Sequence, residues 1–149
     1  MIKLNRTTEY GLIALRHMSQ KSLANSPEIT SAREIADAYG LPFEITAKTL
    51  QRLKDTGLIQ SEQGARGGYT LQRALSDVSL SEFVSLMEGP QGVMACATCE
   101  CQYGSKCDIQ HMMHDLNRRV FNFLSGIKLA ELGALPLETP TAASRGIHP

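Results

Sequence analysis

The chain has no tryptophan, and aromatic residues make up only 5% of its 149 positions. It has no apolar run long enough to span a bilayer, so no membrane partner is expected. It also lacks a glycine-rich phosphate-binding motif and any nucleophile–base pair that can be placed, which argues against an enzyme or an electron carrier doing chemistry of its own. The opening carries Lys3, Arg6 and Glu9 with no apolar core before a small-residue cleavage site, so no secretory signal is expected. These absences predict a cytoplasmic protein, in which thiols stay reduced and disulfides are not expected.

Net charge is also lacking: fifteen Lys and Arg balance fifteen Asp and Glu. That excludes a generally basic nucleic-acid binder, but the average hides a gradient. Residues 1–75 hold ten basic and seven acidic side chains, and residues 76–149 hold five and eight, giving +3 and −3. This split permits DNA binding by the N-terminal half without requiring it.

The chain does have ordered helix punctuation. From Thr7 to Met18 the residues Tyr10, Ile13, Ala14 and Met18 recur at helical spacing, with Thr7 or Thr8 able to cap. Asn25, Ser26 and Pro27 then read as a loop. Ser31-Ala32-Arg33-Glu34 forms a capping box, in which the Ser31 hydroxyl takes the Glu34 amide and the Glu34 carboxylate reaches back. The short helix it opens carries Ile35 and Ala36 and ends at Gly40. Pro42 suits the first turn of the next helix, where Ala47, Leu50 and Leu53 form a buried side and Gly57 stops it. Two helices about a tight turn predict a helix-turn-helix with the second as recognition helix. Residues 58–62 and 69–72 flank Gln63-Gly64-Ala65-Arg66-Gly67-Gly68, a hairpin with a basic, glycine-rich tip. The combination is a winged helix.

A second capping box, Ser79-Leu80-Ser81-Glu82, opens a helix through Phe83, Val84 and Met87 that closes at Gly89-Pro90. Farther on, Ile109, Met113, Leu116, Val120, Phe123 and Ile127 are spaced 4, 3, 4, 3 and 4, with Asp108 as a cap. That is a heptad seam, and it predicts a homodimer joined through the helix from Asp108 to Ile127. The expected fold class is therefore mainly α with a small β-hairpin wing. It comprises a winged-helix DNA-binding domain (1–90), a cysteine-rich cluster-binding loop (91–107), a dimerisation helix with a short following segment (108–133) and a flexible tail (134–149).

All four cysteines, Cys96, Cys99, Cys101 and Cys107, fall within twelve residues. In a reducing compartment such crowding indicates metal or redox chemistry. Zinc ribbons usually use two separated Cys-x-x-Cys knuckles, and only Cys96 to Cys99 has that form. The other reading takes Cys96, Cys101 and Cys107, a Cys-x4-Cys-x5-Cys run, as a loop wrapping an iron–sulfur cluster. Spacing alone leaves the iron–sulfur cluster, structural zinc and a cysteine-thiol redox switch all open. Three thiolates leave one position to fill, for which Cys99, Glu9 and His111 are candidates.

In this order the motifs resemble the Rrf2 family of bacterial winged-helix regulators, which includes iron–sulfur sensors of the IscR, NsrR and RirA types. The carriers are Lys3-Leu4 with Thr8-Glu9-Tyr10, Ile35-Ala36 to Gly40-Leu41-Pro42, Leu53 with Gly57-Leu58-Ile59, the wing Gly64 to Leu71, and Met87-Glu88-Gly89-Pro90, followed by the cysteine run. The resemblance spans roughly Met1 to Leu132 and implies a winged-helix dimer that binds double-stranded promoter DNA, usually as a repressor. It implies a cluster, two-iron in preference to four-iron, held by Cys96, Cys101 and Cys107. In some members a carboxylate on the first helix completes the cluster, and Glu9 stands there. The histidine of IscR-like members falls three residues after the last cysteine, where this chain has Gln110, with His111 one place later. A recognition helix in this register is expected to lay Glu44, Thr46, Lys48 and Arg52 towards the major groove. Lys54 is expected at a phosphate and Arg66, on the wing, at or in the minor groove.

Overall fold

The computed structural model describes residues 3–25, 29–90, 103 and 106–133. The first helix, α1, spans Arg6–Leu23. Its cap is Asn5, one turn earlier than expected: the Asn5 side chain accepts from the Thr8 amide at 2.8 Å, so neither Thr7 nor Thr8 serves as cap. The inward stripe consists of Thr8, Gly11, Ala14, Leu15 and Met18, while Tyr10 and Ile13 are only partly covered. Small residues carry this face because another helix lies close. A Cβ on Gly11 would stand 3.2 Å from the Phe83 ring and 3.3 Å from the Met87 methyl.

The helix-turn-helix follows as α2 (Ala32–Tyr39) and α3 (Phe43–Asp55). Ser31 caps α2 through the Glu34 amide, and Gly40 closes it with φ 63°, a left-handed conformation that glycine adopts without strain. The second half of the predicted capping box is replaced by longer-range contacts: the Glu34 carboxylate engages His17 and Lys21 of α1. Pro42 stands just before α3 as its cap residue and makes no side-chain cap bond. Leu50 and Leu53 are fully buried, and Ala47 is half-buried.

The wing is an antiparallel pair, β1 (Ile59–Glu62) and β2 (Gly68–Leu71), with Ile59 opposite Leu71 and Glu62 opposite Gly68. Thr30 bridges to Tyr69 on the other side of β2. Gly68 allows that approach, since a Cβ there would come within 2.8 Å of the Thr30 carbonyl oxygen. A short 3-10 turn, Leu75–Asp77, leads into α4 (Leu80–Glu88), capped by Ser79 through the Glu82 amide and buried through Phe83, Val84 and Met87.

The last helix, α5, spans Gln110–Ser125. It begins after Ile109 with no side-chain cap, so Asp108 is not its cap. The chain then returns to the first domain. Leu80 N–H donates to the Ile127 carbonyl and Leu129 N–H to the Val78 carbonyl, and Leu129 enters the core. That core lies between α1, α3, α4 and the base of the wing, around Leu15, Ile35, Leu50, Leu53, Leu58 and Phe83. None of the residues of α5 is buried. Of the predicted seam, Met113, Val120 and Ile127 are half-covered, whereas Ile109, Leu116 and Phe123 are 48%, 41% and 71% exposed. Among the described residues no helix is long and apolar enough to cross a membrane. The segment predicted as a tail, 134–149, lies outside the described residues.

Candidate nucleic-acid interface and cysteine segment

The inward side of α3 is set by Thr46, Thr49, Leu50 and Leu53. Glu44, Lys48, Gln51, Arg52, Lys54 and Asp55 are exposed on its remaining surface. Five of the six sequence-predicted DNA contacts, Glu44, Lys48, Arg52, Lys54 and the wing's Arg66, are thus exposed. Thr46 is not. It is 1% exposed, and its hydroxyl donates to the Pro42 carbonyl at 2.9 Å, so its side chain is withdrawn from any groove. Thr49 is buried the same way through the Ile45 carbonyl at 2.8 Å. A buried threonine stays satisfied by bonding one turn back along its own helix. Arg52 has a second tie inside the protein, since its guanidinium donates to the Met87 carbonyl at 3.4 Å. Arg66 lies in the turn between the strands, where Gly64 has φ 150°.

Sequence reasoning overlooked the start of the recognition helix. Phe43 and Ile45 are each 40% exposed, and the Arg33 guanidinium of α2 stacks on the Phe43 ring, 4.0 Å from its centroid. An aromatic residue directly after Pro42 reads naturally as a core residue. The only signal against that was its position outside the stripe formed by Leu50 and Leu53.

Two polar nodes hold this reading head in place. In the first, His17 Nε2 lies 2.8 Å from Glu34, His17 Nδ1 lies 3.1 Å from the Tyr39 hydroxyl, and Lys21 Nζ lies 2.9 Å from Glu34 and 2.8 Å from the Ile29 carbonyl. Burial pushes the Glu34 carboxyl up, but the hydrogen bonds and charges of His17 and Lys21 outweigh it and hold the group below its usual value. This node clamps α2 against α1 and holds the Ile29–Thr30 segment beside the wing. In the second node, the Thr8 hydroxyl and the Asn5 amide both reach Glu88 Oε1, at 2.6 and 2.8 Å. The start of α1 is thereby bonded to the end of α4, three residues before the cysteine-rich segment 91–107 begins.

Cys96, Cys99 and Cys101 lie outside the described residues. Cys107 is a free, half-buried thiol three residues before α5, and its carbonyl accepts from the Gln110 amide. Among the described residues no three His, Cys, Asp or Glu side chains converge. Glu9, 48% exposed and 3.6 Å from Arg6, follows Thr8 directly and so sits at the end of α1 that is tied to α4. His111 is exposed in the first turn of α5. The donor set, crowded thiols with a carboxylate at the anchored end of α1, fits an iron–sulfur cluster in its chemistry.

Comparison with known proteins places this arrangement. Residues 4–134 match the model of the Rrf2 family, described as an iron-dependent transcriptional regulator. The chain is 27% identical over 128 residues to the HTH-type transcriptional regulator IscR of Photobacterium profundum, covering 85% of this chain and 74% of the relative. It is 29% identical over 147 residues to an rrf2-like HTH-type regulator of Rhodobacter capsulatus, covering 94% and 93%. Among solved structures, CymR, the global cysteine regulator of B. subtilis, superimposes with a TM-score of 0.70 at 21% identity, covering 90% of this chain and 98% of that one. T. potens IscR does so with a TM-score of 0.66 at 21% identity, covering 93% and 92%. These two likenesses establish the winged-helix fold.

Proposed function

This chain belongs to the Rrf2 family of transcriptional regulators, and from that premise we propose that it is an iron–sulfur-dependent, DNA-binding repressor that acts in the cytoplasm as a homodimer. It is a regulator rather than an enzyme, as its relatives are. The observation that carries the proposal is where the cysteine run falls. It starts at Cys96, eight residues beyond the α4 end at Glu88 that is bonded to α1 through Thr8 and Asn5, and it finishes at Cys107, three residues before α5.

Cys96, Cys101 and Cys107 would hold the cluster, with Glu9, Cys99 or His111 in the remaining position. When bound, the cluster supplies a centre sensitive to redox and nitrosative chemistry. Around it, the chain's own residues provide the coupling. Any change in the segment from Pro90 to Cys107 pulls on the end of α4, on Glu88 and hence on the start of α1. On the other side it pulls on the start of α5, the helix proposed to join the two subunits. Glu44, Lys48 and Arg52 on α3 and Arg66 on the wing meet the operator, with Lys54 at a phosphate.

Anaerobic purification with a visible spectrum and metal analysis tests this reading. The expected result is brown or red protein carrying iron and sulfide. Cys101→Ser is expected to be colourless, with altered affinity for promoter fragments that the wild type binds. Colourless wild-type protein with one bound zinc would replace the sensor by a structural-zinc regulator. Unchanged colour and unchanged binding in Cys101→Ser would remove this cysteine from the site.

A further inference from the structure

The Arg33–Phe43 stack lies at the junction of α2 and α3, and neither residue has a role in the core or in the proposed cluster site. We propose that this pair is a base-reading element, with Arg33 recognising a guanine and Phe43 the methyl group of an adjacent thymine in each operator half-site. The inference rests on the DNA-binding reading above and adds the identity of the bases read.

The position of the pair is the first reason. Phe43 is the first residue of the recognition helix, and in helix-turn-helix docking it is the N-terminal residues of that helix that face base edges. The chemistry of the surface is the second. Phe43 and Ile45 are each 40% exposed at a place where a soluble domain gains nothing from showing an aromatic ring to water. Apolar groups suit the thymine C5 methyl, the one apolar feature of the major-groove edge, and do nothing for a phosphate.

The third reason is the state of the guanidinium. Arg33 lies over the ring at 4.0 Å, and among the described residues it forms no ion pair. Contact with the ring face holds the guanidinium in place, and among the described residues no carboxylate takes up its N–H groups. That is the preparation needed for two parallel bonds to guanine O6 and N7, and it loses less side-chain freedom on binding than a loose arginine would. Glu34, the next residue in sequence, is engaged by His17 and Lys21 instead.

The test is selection from a randomised duplex library with wild-type protein, Arg33→Ala, Arg33→Lys and Phe43→Leu, followed by titration of the selected duplex and a random one at several salt concentrations. The wild type is expected to select a thymine–guanine step in each half-site. Arg33→Ala should lose the guanine preference and about tenfold or more in affinity for the selected duplex, with a much smaller loss on random DNA. Arg33→Lys keeps the charge but lacks the fork, so it should bind random DNA normally and still lose the preference. Phe43→Leu should relax the same step, and the double variant should lose less than the two single losses combined, because the residues act as a unit.

An unchanged motif in Arg33→Ala overturns the pair as a reader. So does an equal loss on every duplex with a salt slope lower by about one, which marks a phosphate anchor. Failure of the wild type to select any motif would instead bring down the DNA-binding reading on which this one stands.

Discussion

Glu34 joins three parts of the reading head through one carboxylate. Its amide is capped by Ser31, and its side-chain oxygens accept from His17 and from Lys21, which also holds the Ile29 carbonyl beside the wing. The folded state keeps this carboxyl below its ordinary value of 4.5, burial being outweighed by the two donors. Between the folded and unfolded values the unfolded chain therefore binds more protons, and stability rises with pH there. The contribution is complete above about pH 4.5 and is lost as pH falls through the folded value. Glu34→Gln should flatten the acid limb of urea-unfolding midpoints without abolishing it, since Asp115 is also held low, by hydrogen bonds from Arg118 and Arg119. At neutral pH the cost should be about 1 kcal/mol or less, because the pair is screened by solvent. A variant whose acid limb matches the wild type would mean that Glu34 does not couple protons to folding.

At the scale of elements, α5 is a helix whose apolar side is left without cover. Ile109, Met112, Leu116 and Phe123 are 41–71% exposed at helical spacing, on a helix with no buried residue. Covering one such side chain contributes about 1.5–3 kcal/mol, and in a two-fold dimer each substitution acts twice. If the proposed homodimer forms through this side, Leu116→Glu with Phe123→Glu should turn it into a folded monomer with the wild-type circular dichroism of its helices. Persistence of the dimer would place the contact elsewhere. Of the seam read from the sequence, Ile109, Leu116 and Phe123 are exposed while Met113, Val120 and Ile127 are half-covered, and the capping serines at 31 and 79 were legible because a cap is made within one turn. What could not be read depends on distant partners. Thr46 looked like a polar surface residue, yet it is buried with its hydroxyl on the Pro42 carbonyl. Phe43 carried no expectation, yet its exposed ring lies under the Arg33 guanidinium. Glu34 matched a capping box, but its carboxylate is taken by α1. The cysteine pattern is legible as donor chemistry, but Cys96, Cys99 and Cys101 lie outside the described residues.

At the scale of the whole molecule, the proposed function leaves two routes by which the cysteine segment would reach DNA. The first runs inside a subunit: the segment bearing Cys96 to Cys107 begins next to the Glu88 node, and Arg52 of the recognition helix donates to the Met87 carbonyl one residue earlier. The second runs between subunits: Cys107 precedes α5, and a small turn of that helix against its partner would change the separation of two recognition helices that must match half-sites about 34 Å or a multiple apart. The routes differ in what an isolated half-site feels. Metal-free and metal-loaded protein should therefore be titrated against a paired operator and against a single half-site. If spacing is what changes, the paired operator should shift by about tenfold, equivalent to about 1.4 kcal/mol of coupling, while the half-site stays constant. Equal shifts on both would assign control to the Met87–Glu88 contacts, and Thr8→Val, which removes the hydroxyl bond to Glu88, should then reduce them. The expected outcome is the spacing route. Its path ends on α5, a helix with no fully buried residue, whereas the Glu88 node is pinned by Thr8, a side chain that is itself fully buried. No shift on either duplex would leave a repressor whose grip on DNA is indifferent to its metal.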